Sequence, residues 1–182
     1  MNLKLVKPHE KYFNQYNEMM VEWIESKSNI APWFLDKPIA TEKDFREYCD
    51  SLVELEEKTN NSSYPTQSLY FVVDENDKLI GAGRLAHYLV DEYTDNDGNS
   101  FNVWGHTGYG VRPSERKKGY GTEIEKLLLQ EAKKRNIDKV YVGIHDSNIG
   151  SIKVIENCNG VFEKIIKIDS DPEEIRKYYI NN

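Results

Sequence analysis

Three cations, Arg116, Lys117 and Lys118, run directly into Gly119-Tyr120-Gly121-Thr122, where a long amphipathic helix pattern begins. The first free N–H groups of a helix point outward with partial positive charge, so a helix start is a ready anion site. Glycine lets that backbone close on a phosphate with no Cβ in the way. The lead-in, Gly108-Tyr109-Gly110-Val111-Arg112-Pro113, reads as a strand ending in a turn. Strand, basic glycine turn and helix together make a pyrophosphate cradle. A P-loop is excluded, because Gly121 passes to Thr122 without the lysine that loop requires. The segment by itself also fits a plain basic helix start; its surroundings decide between the two.

The arrangement Arg-x-x-Gly-x-Gly, after Val111-Arg112-Pro113, resembles motif A of the GNAT superfamily of acyl-CoA N-acyltransferases. In that family the loop grips the pyrophosphate of acetyl-CoA. A second stretch, Asn148-Ile149-Gly150-Ser151 through Asn157 and ending near Gly160, resembles motif B. There an asparagine bonds the pantetheine arm, and a small residue three positions on faces it. Asn148 and Ser151 occupy those places, although read singly Asn148 is a helix N-cap. The nearest likeness is to a bacterial group of predicted acetyltransferases. It rests on Arg84-Leu85-Ala86-His87, His106-Thr107-Gly108-Tyr109, Val111-Arg112-Pro113-Ser114 and the Lys177-Tyr178 strand. The specific part runs from about Gly105 to Gly160.

The resemblance implies a GNAT fold: a mixed α/β architecture with a mostly antiparallel twisted sheet flanked by helices. It implies acetyl-CoA as co-substrate, no metal, and direct acetyl transfer to a primary amine. Arg116 to Thr122 would hold the phosphates, Gly119, Tyr120 and Gly121 by backbone and Lys117 and Lys118 by charge. Val111, Asn148 and Ser151 would align the pantetheine. The first helices and their loop, with Trp33 and Tyr64, would wall the acceptor side together with Arg84 and His87. One departure stands out. Many GNAT enzymes carry a tyrosine seven residues after the motif B asparagine, to protonate the departing thiolate, and here that place is Ile155. Tyr109, His106 or a water must serve instead, or the thiolate leaves unassisted.

The remaining chemistry is a base, since only a free amine attacks a thioester, and histidine titrates in the right range. His106, beside the glycine-rich strand, is the first choice, with His87 and His145 behind it. Strand alternation puts Tyr109 on the opposite face from His106 unless a bulge changes the count. Glycines at 105, 108 and 110 suggest such a bulge, or a ligand passing close by. Cys49 and Cys158 fall in no motif, which argues against a covalent acyl-enzyme and against a disulfide. Gly81-Ala82-Gly83-Arg84-Leu85-Ala86 fits a dinucleotide fingerprint by letter alone. It leads into the strand-like His87-Tyr88-Leu89-Val90, and Val103 stands where an acid belongs.

The 182 residues fit one domain spanning the chain. No apolar run suits a membrane span or a secretion signal, so a cytoplasmic enzyme is expected. The net charge of −7 argues against nucleic-acid binding. Residues 1–100 carry 10 basic and 19 acidic side chains, a balance of −9; residues 101–182 carry 14 and 12, a balance of +2. The cradle lies in the basic half. An acidic half would suit a small cationic acceptor, such as a polyamine or an aminosugar. Acetylation of a protein N-terminus, or non-catalytic acyl-CoA binding, are the alternatives, in a monomer or homodimer.

Periodicity then supplies the elements. A short strand at Leu3–Lys7 precedes a helix with Tyr12, Tyr16, Met19, Met20 and Trp23 on one face. A loop follows, then a second helix capped by Thr41 and running to about Lys58. Asn60 to Pro65 is turn-forming. Leu69–Asp74 and Leu79–Val90 read as strands, and Asp95-Asn96-Asp97-Gly98 as a hairpin turn into a strand from Phe101 to Val111. The main helix stops at Asn136. A strand at Val140–Ile144, a short helix to Gly160 and strands at Val161–Ile168 and Lys177–Ile180 complete the order.

Overall fold

Tyr16, Met19, Met20 and Trp23 recur at helical spacing on α1 (Phe13–Glu25), and Phe45, Cys49 and Leu52 do so on α2 (Glu42–Glu54). Both stripes are buried, against each other and against one face of the neighbouring sheet. Thr41 caps α2, its hydroxyl accepting the Asp44 N–H at 3.1 Å. These features come from a computed structural model that describes residues 2–58, 64–94, 98 and 100–182. The expected turn residues Asn60–Ser63 and Asp95–Asp97 lie outside the described residues.

The first sheet runs in the order β1 (Lys4–Val6), β2 (Gln67–Val73), β3 (Leu79–Ala86) and β6 (Thr107–Val111). Its second strand, β2, is buried on both faces. Leu69, Phe71 and Val73 of β2 meet α1 and α2, while Tyr70 and Val72 enter a second core. That second core holds Ile124, Leu128 and Ala132 of α3 (Tyr120–Lys134) and Ile152 and Ile155 of α4 (Ile149–Asn157). β7 (Lys139–His145), β9 (Ile175–Asn181) and β8 (Val161–Ile166) form the second sheet in that order. Two short strands, β4 (Tyr93–Thr94) and β5 (Ser100–Phe101), pair across the expected hairpin. Every ladder among the described residues is antiparallel.

The single strand expected from Phe101 to Val111 is broken, and the break builds the site. Between β5 and β6 the chain leaves its own sheet and touches β7 at Gly105 and Val142. His106 N–H donates to Tyr141 O at 2.7 Å, and Gly143 N–H to Trp104 O at 2.9 Å. Gly105 has φ 82°, and a Cβ there would stand 2.1 Å from Tyr141 O. Only glycine fits. Beyond this bridge β6 pairs with β3 and β7 with β9, so the two sheets part. The strand expected to reach Val90 stops at Ala86, and the helix expected to reach Lys58 stops at Glu54. Asn136 takes φ 58° just after α3, as its position suggested. No helix among the described residues is long and apolar enough to cross a membrane.

Candidate active site

The basic glycine turn does enter a helix. Gly119 stands at the N-cap of α3 with φ 85°, Lys117 has φ 61°, and no side chain caps the first turn. The first N–H groups of α3 are therefore open to an anion. The three cations divide their work. Arg116 turns inward, donating from Nε to Val111 O at 3.1 Å, with its guanidinium 5.4 Å from the Trp23 ring centroid. Lys118 donates to Glu115 at 2.7 Å, a carboxylate that Lys78 also holds. Lys117 is exposed and has no ion pair among the described residues. Arg116 and Lys118 thus shape the turn, and Lys117 alone of the three extends free.

Gly121 ties this turn to the rest of the site. A Cβ there would meet Val154 Cγ2 at 3.2 Å and Tyr109 Cε2 at 3.4 Å. Tyr109 in turn lines a cleft of about 760 Å³ that opens where β6 and β7 separate. Gly108 and Thr107 from β6, Gly143 to His145 from β7, and Asn148, Ser151 and Ile155 from α4 and its cap line it. Trp33, Tyr64 and Arg84 also line it. Val111 and the 116–122 turn lie beside the cleft rather than in its lining. The glycine at 110 is explained by protein, not ligand, because a Cβ would stand 1.8 Å from Ala31 O.

Asn148 holds both of its readings at once. Its Oδ1 accepts the Ser151 N–H at 3.1 Å and caps α4, which leaves the Nδ2 donors to the cleft. The Tyr109 hydroxyl is buried without a hydrogen-bond partner. Burial pushes its pKa well above the ordinary phenol value, so it is a protonated donor at neutral pH. Beneath the floor, Glu125 of α3 is fully buried and accepts the Thr107 hydroxyl at 2.9 Å. Its other oxygen has no partner, and burial raises its pKa to about 7.

The histidines are placed otherwise than their order of preference in the sequence. His106 does not line the cleft. Its ring turns to β7, where Nδ1 accepts the Tyr141 N–H at 3.0 Å. With Nδ1 so engaged, Nε2 carries the hydrogen and no lone pair remains for a base. Burial, with help from Lys177 and Arg84, lowers its pKa to about 4. His87 is also outside the cleft. It contacts the Thr66 and Ser68 hydroxyls at 3.0 and 2.9 Å, and burial with Arg135 nearby lowers it to about 4. His145 is the histidine in the cleft. Its Nε2 meets Asp171 Oδ2 at 2.8 Å, and the Trp104 ring packs against it. Asp171 Oδ1 accepts the Glu173 N–H at 3.0 Å, and the His145 contact holds the carboxyl below its usual range.

Asp171, Glu125, Glu92, Tyr88 and Trp104 belong to the site or its support and carried no sequence signal. Asp171 reaches His145 from a loop 26 residues away, a distance no local spacing encodes. The fold has clear relatives. The family model described as "Acetyltransferase (GNAT) family" matches residues 21–160. Among curated proteins no sequence matches significantly. Solved structures do. The microcin C7 self-immunity acetyltransferase MccE, in complex with acetyl-CoA and AMP, aligns over 100% of this chain and 93% of its own, with TM-score 0.67 at 15% identity. The ribosomal L7/L12 alpha-N-protein acetyltransferase RimL, in complex with coenzyme A, aligns over 100% and 94%, with TM-score 0.66 at 13% identity. The spermidine/spermine N-acetyltransferase SpeG from Vibrio cholerae aligns over 99% and 94%, with TM-score 0.58 at 14% identity. At such identities the likeness is one of fold. The family match spans most of the chain, and with it the chain belongs to the GNAT family of acetyl-CoA-dependent N-acetyltransferases.

Proposed function

We propose that this chain transfers the acetyl group of acetyl-CoA directly to the primary amine of a small molecule, in the cleft between β6 and β7. The observation that carries this reading is one continuous path. The uncapped start of α3, with Lys117 beside it, meets the cleft across Tyr109, and the Asn148 amide faces the same space. Those residues fit the co-substrate: a helix start and a free lysine for phosphates, an amide donor for the pantetheine arm. Bound acetyl-CoA supplies an activated thioester carbonyl, and the protein's own groups manage the protons.

His145 is the base in this reading. With Nε2–H held by Asp171, its Nδ1 lone pair accepts a proton from the incoming ammonium. The freed nitrogen forms a bond to the carbonyl carbon as the carbon–sulfur bond breaks. Tyr109 donates its hydroxyl proton to the departing sulfur and regains one from the amide nitrogen as that nitrogen loses its second. Tyr109 thereby fills the role that Ile155 cannot. Neither His106 nor His87 takes part, since both are hydrogen-bonded outside the cleft.

The acidic excess of the first hundred residues bears on the acceptor less than its sum suggested, because Glu92 is the one carboxylate among the described residues lining the cleft. Thiol release from acetyl-CoA across a panel of amines tests transfer. His145→Gln should lower kcat by about 10²-fold, with the acetyl-CoA KM little changed. Full turnover in that variant would remove His145 from the reaction.

A further inference from the structure

Resting on the transfer reading above, the exposed aromatic rings of the cleft name a class of acceptor. Trp33, Tyr64, Tyr88 and Trp104 keep 56, 60, 46 and 36% of their surface exposed, although large aromatic rings are ordinarily covered. All four line this one cleft. The other exposed large apolar side chains among the described residues are aliphatic or lie on β8, away from it. The four rings come from four separate stretches of chain: the loop after α1, the segment before β2, the connection after β3 and the turn between β5 and β6. Local sequence cannot gather them; the fold does. Exposed rings converging on a site are unused binding surface.

Charge narrows the class. Among the described residues the lining holds a single carboxylate, Glu92, whose Oε2 already accepts the N–H groups of Val103 and Trp104 at 3.2 and 3.3 Å. A polyamine carries several ammonium groups and needs several acceptors. Arg84, buried in the same wall with Nη2 donating to Gly105 O at 2.8 Å, disfavours additional cations further. We infer that the acceptor is an arylalkylamine: one primary amine on a short stem that carries a flat aromatic body. The rings of Trp33, Tyr64 and Tyr88 take the aromatic body, and the stem leads the ammonium inward past Trp104 to His145.

The test is kinetic, at saturating acetyl-CoA, with tryptamine, 2-phenylethylamine, hexylamine, spermidine and a peptide beginning with serine. Tryptamine and 2-phenylethylamine should exceed hexylamine and spermidine in kcat/KM by about tenfold or more, the scale of stacking on two rings. Trp33→Ala should raise the tryptamine KM by about tenfold while leaving the acetyl-CoA KM unchanged, and Trp33→Phe should restore most of the loss. Hexylamine equal to the aromatic amines would overturn the class, as would faster turnover of spermidine or the peptide. In each of those cases thiol is still released and transfer stands. Silence with every amine would remove the transfer reading and this inference together.

Discussion

Replacing Glu125 by Gln tests whether a fully buried acid is tolerated under the cleft floor at a measurable cost. The carboxyl accepts one hydrogen bond, from Thr107 at 2.9 Å, and its second oxygen has none. Its pKa rises from an ordinary 4.5 to about 7, because burial penalises the charged form more than the Thr107 hydroxyl relieves it. Below pH 4.5 the group is neutral in both folded and unfolded chains and exacts no penalty. As pH climbs towards 7 the unfolded chain ionises first and binds fewer protons, so folding stability falls. At about 1.4 kcal/mol per pH unit, the gap between 4.5 and about 7 is worth about 3 kcal/mol, fully expressed above pH 7. Glutamine keeps an acceptor for Thr107 and cannot ionise. Thermal unfolding of wild type and Glu125→Gln should therefore be compared from pH 5 to 8. Whatever their offset at pH 5, the variant should gain by about 2–3 kcal/mol towards pH 8, roughly 5–10 °C in Tm for a chain of this size. His87 and His106 tilt stability the other way, since their depressed pKa values favour the folded state above pH 6.5 and lose that advantage as pH falls to about 4. Both proteins share that slope, so the difference between them isolates Glu125. Two parallel pH curves would refute the argument.

Three further outcomes follow from the same geometry. Lys117→Glu should weaken acetyl-CoA binding by about tenfold in calorimetry, with a shallower salt dependence, and leave kcat at saturation near wild type. His106→Ala removes the acceptor of the Tyr141 N–H and should cost about 1–3 kcal/mol in chemical denaturation, with turnover per folded molecule nearly intact. A large loss of turnover there would return His106 to the chemistry. Tyr109→Phe deletes a hydroxyl that has no partner in the fold, so stability should hold while the transfer step slows by about 10²-fold.

Most of the architecture was legible because its signals are local. The stripe from Tyr16 to Trp23, the Thr41 cap and the stop at Asn136 each follow from signals within one element. The β5–β6 break was not legible in detail. Glycines at 105, 108 and 110 announced an irregular strand, yet they have separate causes. Gly105 makes way for Tyr141 O and Gly110 for Ala31 O, partners distant in the chain, while Gly108 faces the cleft. A run of glycines marks where something approaches and does not say what.

The same limit governs the site. Arg-x-x-Gly-x-Gly located the cradle, but the letters could not show that Arg116 and Lys118 are spent on Val111 and Glu115 while Lys117 is free. Three adjacent cations look equivalent until the turn gives each a direction. The choice of base turned on a related point. Strand alternation puts His106 and Tyr109 on opposite faces, but the chain bends at His106 before β6 begins at Thr107, so the count of faces stops short of it. The ring is placed instead by Tyr141, whose N–H its Nδ1 accepts from the neighbouring sheet. His145 gains its place through a carboxylate that arrives from beyond β8. A histidine with a neighbour of that kind is recognised by a contact between distant segments, and a single sequence holds no record of such contacts.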